Sequence, residues 1–575
     1  MNQQRQTKNR VWAERLMRSA GAAVLVAVLA ACGSGGSDDA SSGESSGPPP
    51  TQAEAARFLA QATYGPTEAS INALTQSSYS AWLNDQFTRP AVPHRTYVDQ
   101  KAADLAANGG TVSPTNFRES YWRQALTGPD QLRQRAAFAL SQIFVISFVD
   151  GTLANQTRGV TSYYDMLAEK AFGNYRDLLE SVSLHPMMGV YLTSLRNQKE
   201  DANGRVPDEN YAREIMQLFS IGLYELNDDG TTRGSTPTET YTHDDIMGLA
   251  KVFTGFSWYA GPNASDRTTT RFFGGNAQAE RDFRPMQAYN TYHSISEKRF
   301  LGTTIAANGT ANADADLQTA LDTLFNHHNV GPFIGKQLIQ RMVTSNPSPA
   351  YVARVAAAFN NNGSGVRGDM KAVFRAILLD PEARADNSAS TTFGKVREPV
   401  LRLSHLLRAF KATSTSNEFT GIDNTDGTLS QTAMRSPTVF NFYRPGYTPP
   451  NSAAAAAGLV APELQLASEV SVAAYLNYLR GTWLTVNTAR DIQLDFSAEM
   501  ALADNPAALV DRLNLLLMSG QMTSALRTQI LAGINGRTIP APTSNNQATV
   551  DSAKRDRVFI GILLTMASPD YMVQK

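Results

Sequence analysis

A single cysteine in 575 residues constrains this chain more than any other feature. Cys32 closes the apolar run Ala22-Ala23-Val24-Leu25-Val26-Ala27-Val28-Leu29 after two further alanines, and Arg5, Lys8, Arg10, Arg15 and Arg18 lie ahead of the run. A cationic start, a short apolar stretch and a small-residue cleavage box make up a secretory signal. An exported chain ordinarily gains stability from disulfides. With one cysteine, and that one at the cut, this chain has none, and Cys-based metal sites and cysteine nucleophiles are excluded with them. The fold must therefore be held by burial of a large core, which a chain of this length can supply.

The Leu29-Ala30-Ala31-Cys32 box resembles the site read by the lipoprotein signal peptidase. A transmembrane anchor is the competing interpretation, but residues 20–31 are about half of the ~20 apolar residues that span a bilayer. The expected product begins at a lipidated Cys32 and is moored by its acyl chains in the bacterial cell envelope. Gly33 follows the cysteine in place of an aspartate, which by enterobacterial sorting rules points to the outer membrane. Loss of residues 1–31 removes five cations and one anion, leaving 46 and 51, a net charge of −5. No global basic field exists for nucleic acid.

Residues 32–51 form the lipidated cysteine and a Gly/Ser/Pro tether. From residue 52 to 575 apolar positions recur at helical spacing, for example over 129–147, 160–183, 208–224, 243–254, 332–344 and 397–411. The expected fold is mainly α: an irregular multi-helix assembly with long loops and minor β hairpins. The hairpins are placed at the turn 227–230 and at 269–274. A break near 412–460 would divide the helical part into two packed subdomains.

The richest polar cluster is Asp208-Glu209-Asn210-Tyr211-Ala212-Arg213-Glu214. Glu209 and Arg213 are four apart, as are Asn210 and Glu214, so each pair shares a helix surface. This segment, followed by an apolar run, resembles the signature of the uncharacterised exported bacterial family called domain of unknown function 1800, one residue off its pattern. Further blocks match in order: Phe58 to Gly65, Phe172 to Asp177 with Leu184-His185-Pro186, Thr242-His243-Asp244-Asp245 with Phe253-Thr254-Gly255, His327 to Phe333, Val396-Arg397-Glu398-Pro399, and Ser436 to Tyr447. The resemblance covers roughly residues 52–575. It implies a predominantly helical exported protein, brings no activity, and suggests as partner an exported protein of the uncharacterised family numbered 1501. Many members carry a tryptophan and histidines in the helix matching 136–146. Here that helix has neither, so a site built from them elsewhere is missing.

Two chemistries compete for the polar residues. Thr242 and Asp245 approximate a capping box, with Asp244 and Asp245 suited to the positive end of a helix. Alternatively, Asp244 or Asp245 joins Glu209, Glu214 and a histidine such as His327 in a metal or acid–base site. His185 and His293 are lesser candidates, and His405 lies among leucines in a structural position. No His-Glu-x-x-His or Walker loop is present. Gly363 to Gly368 satisfies a dinucleotide-type spacing but follows a helix, so it reads as a helix–helix turn. Asn441, Tyr443, Arg444 and Tyr447 suit a sugar or peptide surface, or belong to a Pro-rich loop that plugs the core.

Two functions follow as expectations. The first is an envelope lipoprotein without catalysis that docks an exported partner. The second is an envelope hydrolase with an acidic and histidine site, with or without a metal. An enzyme should gather Glu214, Arg213, a histidine and Arg397 with Glu398 in one concave pocket. A docking protein should show them as paired struts and expose an apolar patch elsewhere.

Overall fold

The computed structural model describes residues 48–423 and 429–575. The expected signal segment, Cys32 and all but the end of the expected tether lie outside the described residues, as do residues 424–428 of the expected loop 412–436. The first helix among the described residues follows almost at once. Thr51 opens helix Gln52–Ala62 through a capping box: its Oγ1 accepts from Glu54 N at 3.3 Å, and Glu54 Oε2 accepts from Thr51 N at 2.8 Å. From there to the C-terminus the contacts hold the described residues together as one unit.

The fold is mainly α, with twenty-five α-helices among the described residues and only two-stranded sheets. Helix Gln131–Ser141 is its axis, and every residue of it is buried. Ala136, Ala137 and Ala139 keep it slim, so helices Gln52–Ala62, Tyr79–Thr88, Pro114–Thr127, Thr157–Lys170 and Val330–Met342 pack around it. Aromatic rings fill one side: Tyr121 meets Tyr64 edge-on at 5.8 Å and Tyr164 edge-on at 6.0 Å, and Phe117 meets Tyr164 at 5.5 Å. The core continues without a gap into helices Pro399–Ala409 and Pro506–Met518. No helix among the described residues is long and apolar enough to cross a membrane.

The sheets act as clasps. Val573–Gln574 pairs antiparallel with Lys395–Val396, so the last residues of the chain hold the entry to helix Pro399–Ala409. Thr413–Ser414 pairs with Ile492–Gln493, and Lys298–Phe300 with Thr303–Ile305. Helix His243–Val252 lies so close on the last hairpin that a Cβ at Gly248 would sit 1.7 Å from Arg299 O. Only glycine fits there.

Three local expectations change. The pattern over 160–183 is two helices, Thr157–Lys170 and Tyr175–Leu184, because Asn174 starts a new one by accepting from Arg176 N at 2.9 Å. Residues 269–274 hold a short helix, Thr269–Phe272, capped by Thr268, where a hairpin was expected. Helix His94–Ala106 carries no clear apolar stripe and buries only His94 and Val98, which hid it from periodicity. The turn at 227–230 is as expected: Gly230 takes φ +73° and Leu226 bridges Thr232.

Candidate functional site

The acidic helix comes first. Glu209 stands at the N-cap of helix Asn210–Gln217, with Oε2 3.3 Å from Arg213 and 3.8 Å from His243 Nδ1. His243 opens the neighbouring helix and is exposed, so this is a half-open ion pair on the surface. Asn210 is also exposed. Glu214 points the other way. It is buried, its Oε2 has no hydrogen-bond partner, and burial raises its pKa against the pull of Arg213. Asp245 is fully engaged: Oδ2 accepts from Thr242 N and Oγ1, both at 2.7 Å, and Oδ1 accepts from Leu301 N at 2.7 Å. Asp244 is exposed beside it. Glu209 and Glu214 therefore leave their helix in different directions, and Asp245 serves as cap and clamp.

Arg397 and Glu398, adjacent in sequence, also diverge. Arg397 stacks on the Tyr571 ring at 4.6 Å and donates to Tyr571 O. Glu398 enters a charged knot in the core. Its Oε1 lies 3.2 Å from Lys395 Nζ, while Oε2 accepts from Gln142 Nε2 at 2.5 Å and Gln431 Nε2 at 2.6 Å. Lys395 also reaches Glu463 Oε1 at 3.2 Å and donates to Arg341 O at 2.9 Å. Arg135 donates to the same carbonyl. Burial alone would raise the Glu398 pKa, but Lys395, Arg135 and the two amides hold it below the ordinary carboxylate range. Burial pushes Glu463 up, and Glu398 adds to that. Tyr443 joins the knot by donating to Gln142 Oε1 at 3.1 Å, and Asn441 is buried with φ +66°. Lys395, Glu463, Gln142, Arg341 and Arg135 went unnoticed in the sequence. They come from four distant segments, and the only short spacings are Arg135 to Gln142, seven apart on helix Gln131–Ser141 and its cap, and Lys395 three residues before Glu398.

Most histidines are structural. His94 binds Ser120 Oγ at 3.0 Å and Gln134 Oε1 at 3.1 Å, and His405 binds Leu516 O at 2.8 Å. His185 Nδ1 accepts from Met187 N at 3.2 Å, and burial pushes its pKa down to about 3. His293 is closest to a catalytic arrangement, with Asp316 2.9 Å from Nε2 and Thr254 Oγ1 3.3 Å from Nδ1. However, the Thr254 hydroxyl already donates to Lys251 O, Lys298 Nζ occupies the same Asp316 oxygen at 2.9 Å, and both His293 and Thr254 are sealed from solvent. A nucleophile there has no proton to give and no room for a substrate. His327 is half-buried before helix Val330–Met342. Burial and then the neighbouring His328 push its pKa down to about 4.

A cleft of about 970 Å³ opens elsewhere, between helix Val330–Met342, residues 217–232 and residues 440–460. Leu223, Phe333, Pro347, Phe440, Pro445, Leu459 and Val460 supply apolar walls, and Leu223 and Tyr224 are each nearly half exposed. Lys336 and Arg444 line it, and among the described residues no Asp or Glu does and neither cation has a carboxylate within salt-bridge reach. Burial lowers the Lys336 pKa, with Asp229 pulling the other way. Gln337 is 8% exposed, lines the cleft, and its Nε2 has no partner. Arg444 packs over Phe440 at 4.9 Å. Of the four residues singled out in 436–447, Arg444 alone lines this cleft, Tyr447 does not reach it, and Asn441 and Tyr443 anchor its loop in the core.

The architecture is that of a mainly α protein with a charged core and an amphipathic surface cleft. Residues 57–573 match the family model described as Protein of unknown function (DUF1800), and the chain belongs to that family. No curated protein and no solved structure matches it.

Proposed function

We propose that this protein is a lipoprotein of the bacterial cell envelope that docks an exported partner. Cys32 moors it by acyl chains, with the outer membrane as its address, and the tether sets the helical body off from the bilayer. The cleft receives an extended segment of the partner that carries at least one carboxylate. The observation behind this is the cleft's chemistry: two cations without carboxylate partners and an orphaned amide donor set in apolar walls. An acidic peptide satisfies all three, since backbone carbonyls accept from Gln337 and carboxylates pair with Lys336 and Arg444. The volume lies at the upper end of the ~300–1,000 Å³ usual for ligand sites. An exported protein of the family numbered 1501 is the first partner to try.

The hydrolase alternative has less support. Glu209, Glu214, Asp244, Asp245, His327 and the Arg397–Glu398 pair do not converge on one pocket, and most are committed to caps or ion pairs. Co-purification from solubilised envelopes separates the two functions. The wild-type chain should carry one exported protein near stoichiometry, the Lys336→Glu, Arg444→Glu variant should not, and Glu209→Gln should behave as wild type. Loss of the partner in Glu209→Gln with retention in the cleft variant would reverse the assignment.

A further inference from the structure

We propose that Glu225, His327 and His328 form a binding site for a divalent ion of the zinc class. Each side chain offers one ligand atom, and the three atoms lie within 4.8 Å of one another. Glu225 Oε2 is 2.6 Å from His328 Nε2, and Oε1 is 3.9 Å from His327 Nε2. Two ligands on one tetrahedral zinc at ~2.0–2.2 Å stand about 3.3 Å apart. One separation is therefore too short and the other too long, each by under ~1 Å, a mismatch that side-chain rotation removes. The two imidazoles already stack, with centroids 4.5 Å apart.

The donor set of two imidazoles and one carboxylate suits zinc and its neighbours rather than calcium or magnesium, which prefer all-oxygen shells. Three protein ligands leave a fourth position for water or a partner group. The histidines are held by the start of helix Val330–Met342, and Glu225 comes from the strand-like segment before the 227–230 turn, so binding would tie two elements together. Glu225 stands between Tyr224 and Leu226, both of which line the cleft, but none of the three ligands itself lines it, and His327 borders a separate hollow with Thr323 and Asn326. One contact works against affinity. His327 Nδ1 accepts from Asn329 N at 3.2 Å, so a neutral ring carries its proton on Nε2. Ligation through Nε2 moves that proton to Nδ1 and forfeits the contact, so binding is weaker than at a centre whose ring tautomer is preset. The site does not depend on the docking proposal.

The test is a zinc titration of the purified, chelator-treated chain by calorimetry, with elemental analysis after gel filtration. One zinc per chain is expected, with a rise in the thermal midpoint on saturation. His328→Ala, at an exposed position, should weaken binding at least tenfold, and Glu225→Gln with His328→Ala should abolish it. His243→Ala, which removes the exposed imidazole near Glu209, should leave it unchanged. Absence of stoichiometric zinc in the wild-type chain, or full retention in His328→Ala, overturns the site.

Discussion

At the residue scale, burial decides what a charged side chain can do here. Lys395, Glu398 and Glu463 are buried together, and removing one partner strands the others. Lys395→Met should therefore cost about 3–5 kcal/mol in chemical denaturation, whereas Lys395→Met with Glu398→Gln should cost less. The pH dependence has a definite sign. Glu398 is held below its unfolded value, so its contribution is present above the unfolded carboxylate pKa of ~4.3 and disappears as pH falls through the folded value. Lys395→Met should flatten that acid limb. Glu214 behaves oppositely. Its pKa is raised by burial, so ionisation at neutral pH works against folding, and Glu214→Gln should raise the thermal midpoint at pH 7 and lose that advantage below pH ~4. An unchanged midpoint at both pH values would contradict this. These roles could not be read from the chain. Glu398 is one residue from Arg397 in sequence, yet one enters the charged knot and the other stacks on Tyr571. Such a divergence is set by which distant segment arrives to meet each side chain.

At the element scale the sequence is far more legible, because caps and apolar stripes are local. The Thr242–Asp245 box and the helix–helix turn at 363–368 are where their residues place them. Helices went unrecognised where the local signal is weak, as in His94–Ala106, and were merged where an internal cap interrupts a continuous apolar pattern, as at Asn174. The candidate site was legible in part. Arg444 was singled out for its surface chemistry, but Lys336 and Gln337 lie in a helix whose pattern reports only packing. Asp244 and Asp245 supply a local test of cap against catalyst. Thr242→Ala should cost about 1 kcal/mol, Asp245→Ala about 1–3 kcal/mol because Leu301 N also loses its acceptor, and Asp244→Ala less than about 0.5 kcal/mol. A large stability loss in Asp244→Ala alone would contradict the assignment of the cap to Asp245.

For the whole molecule, the proposal joins an address to a surface. If Cys32 is the mooring, Cys32→Ser should shift the chain from the membrane to the soluble envelope fraction, and mass spectrometry of the wild-type N-terminus should find acyl chains on Cys32. An unmodified N-terminus would remove the address while leaving the cleft to be judged separately. The cleft carries the central claim, and the most direct measurement is photo-crosslinking in intact cells from a probe at Leu223, which lines the cleft, with Val470 as an exposed control outside it. The prediction is one discrete adduct to an exported protein from Leu223, none from Val470, and loss of the adduct on Lys336→Glu with Arg444→Glu. The same adduct from both positions, or an adduct from Leu223 indifferent to charge reversal, would contradict it.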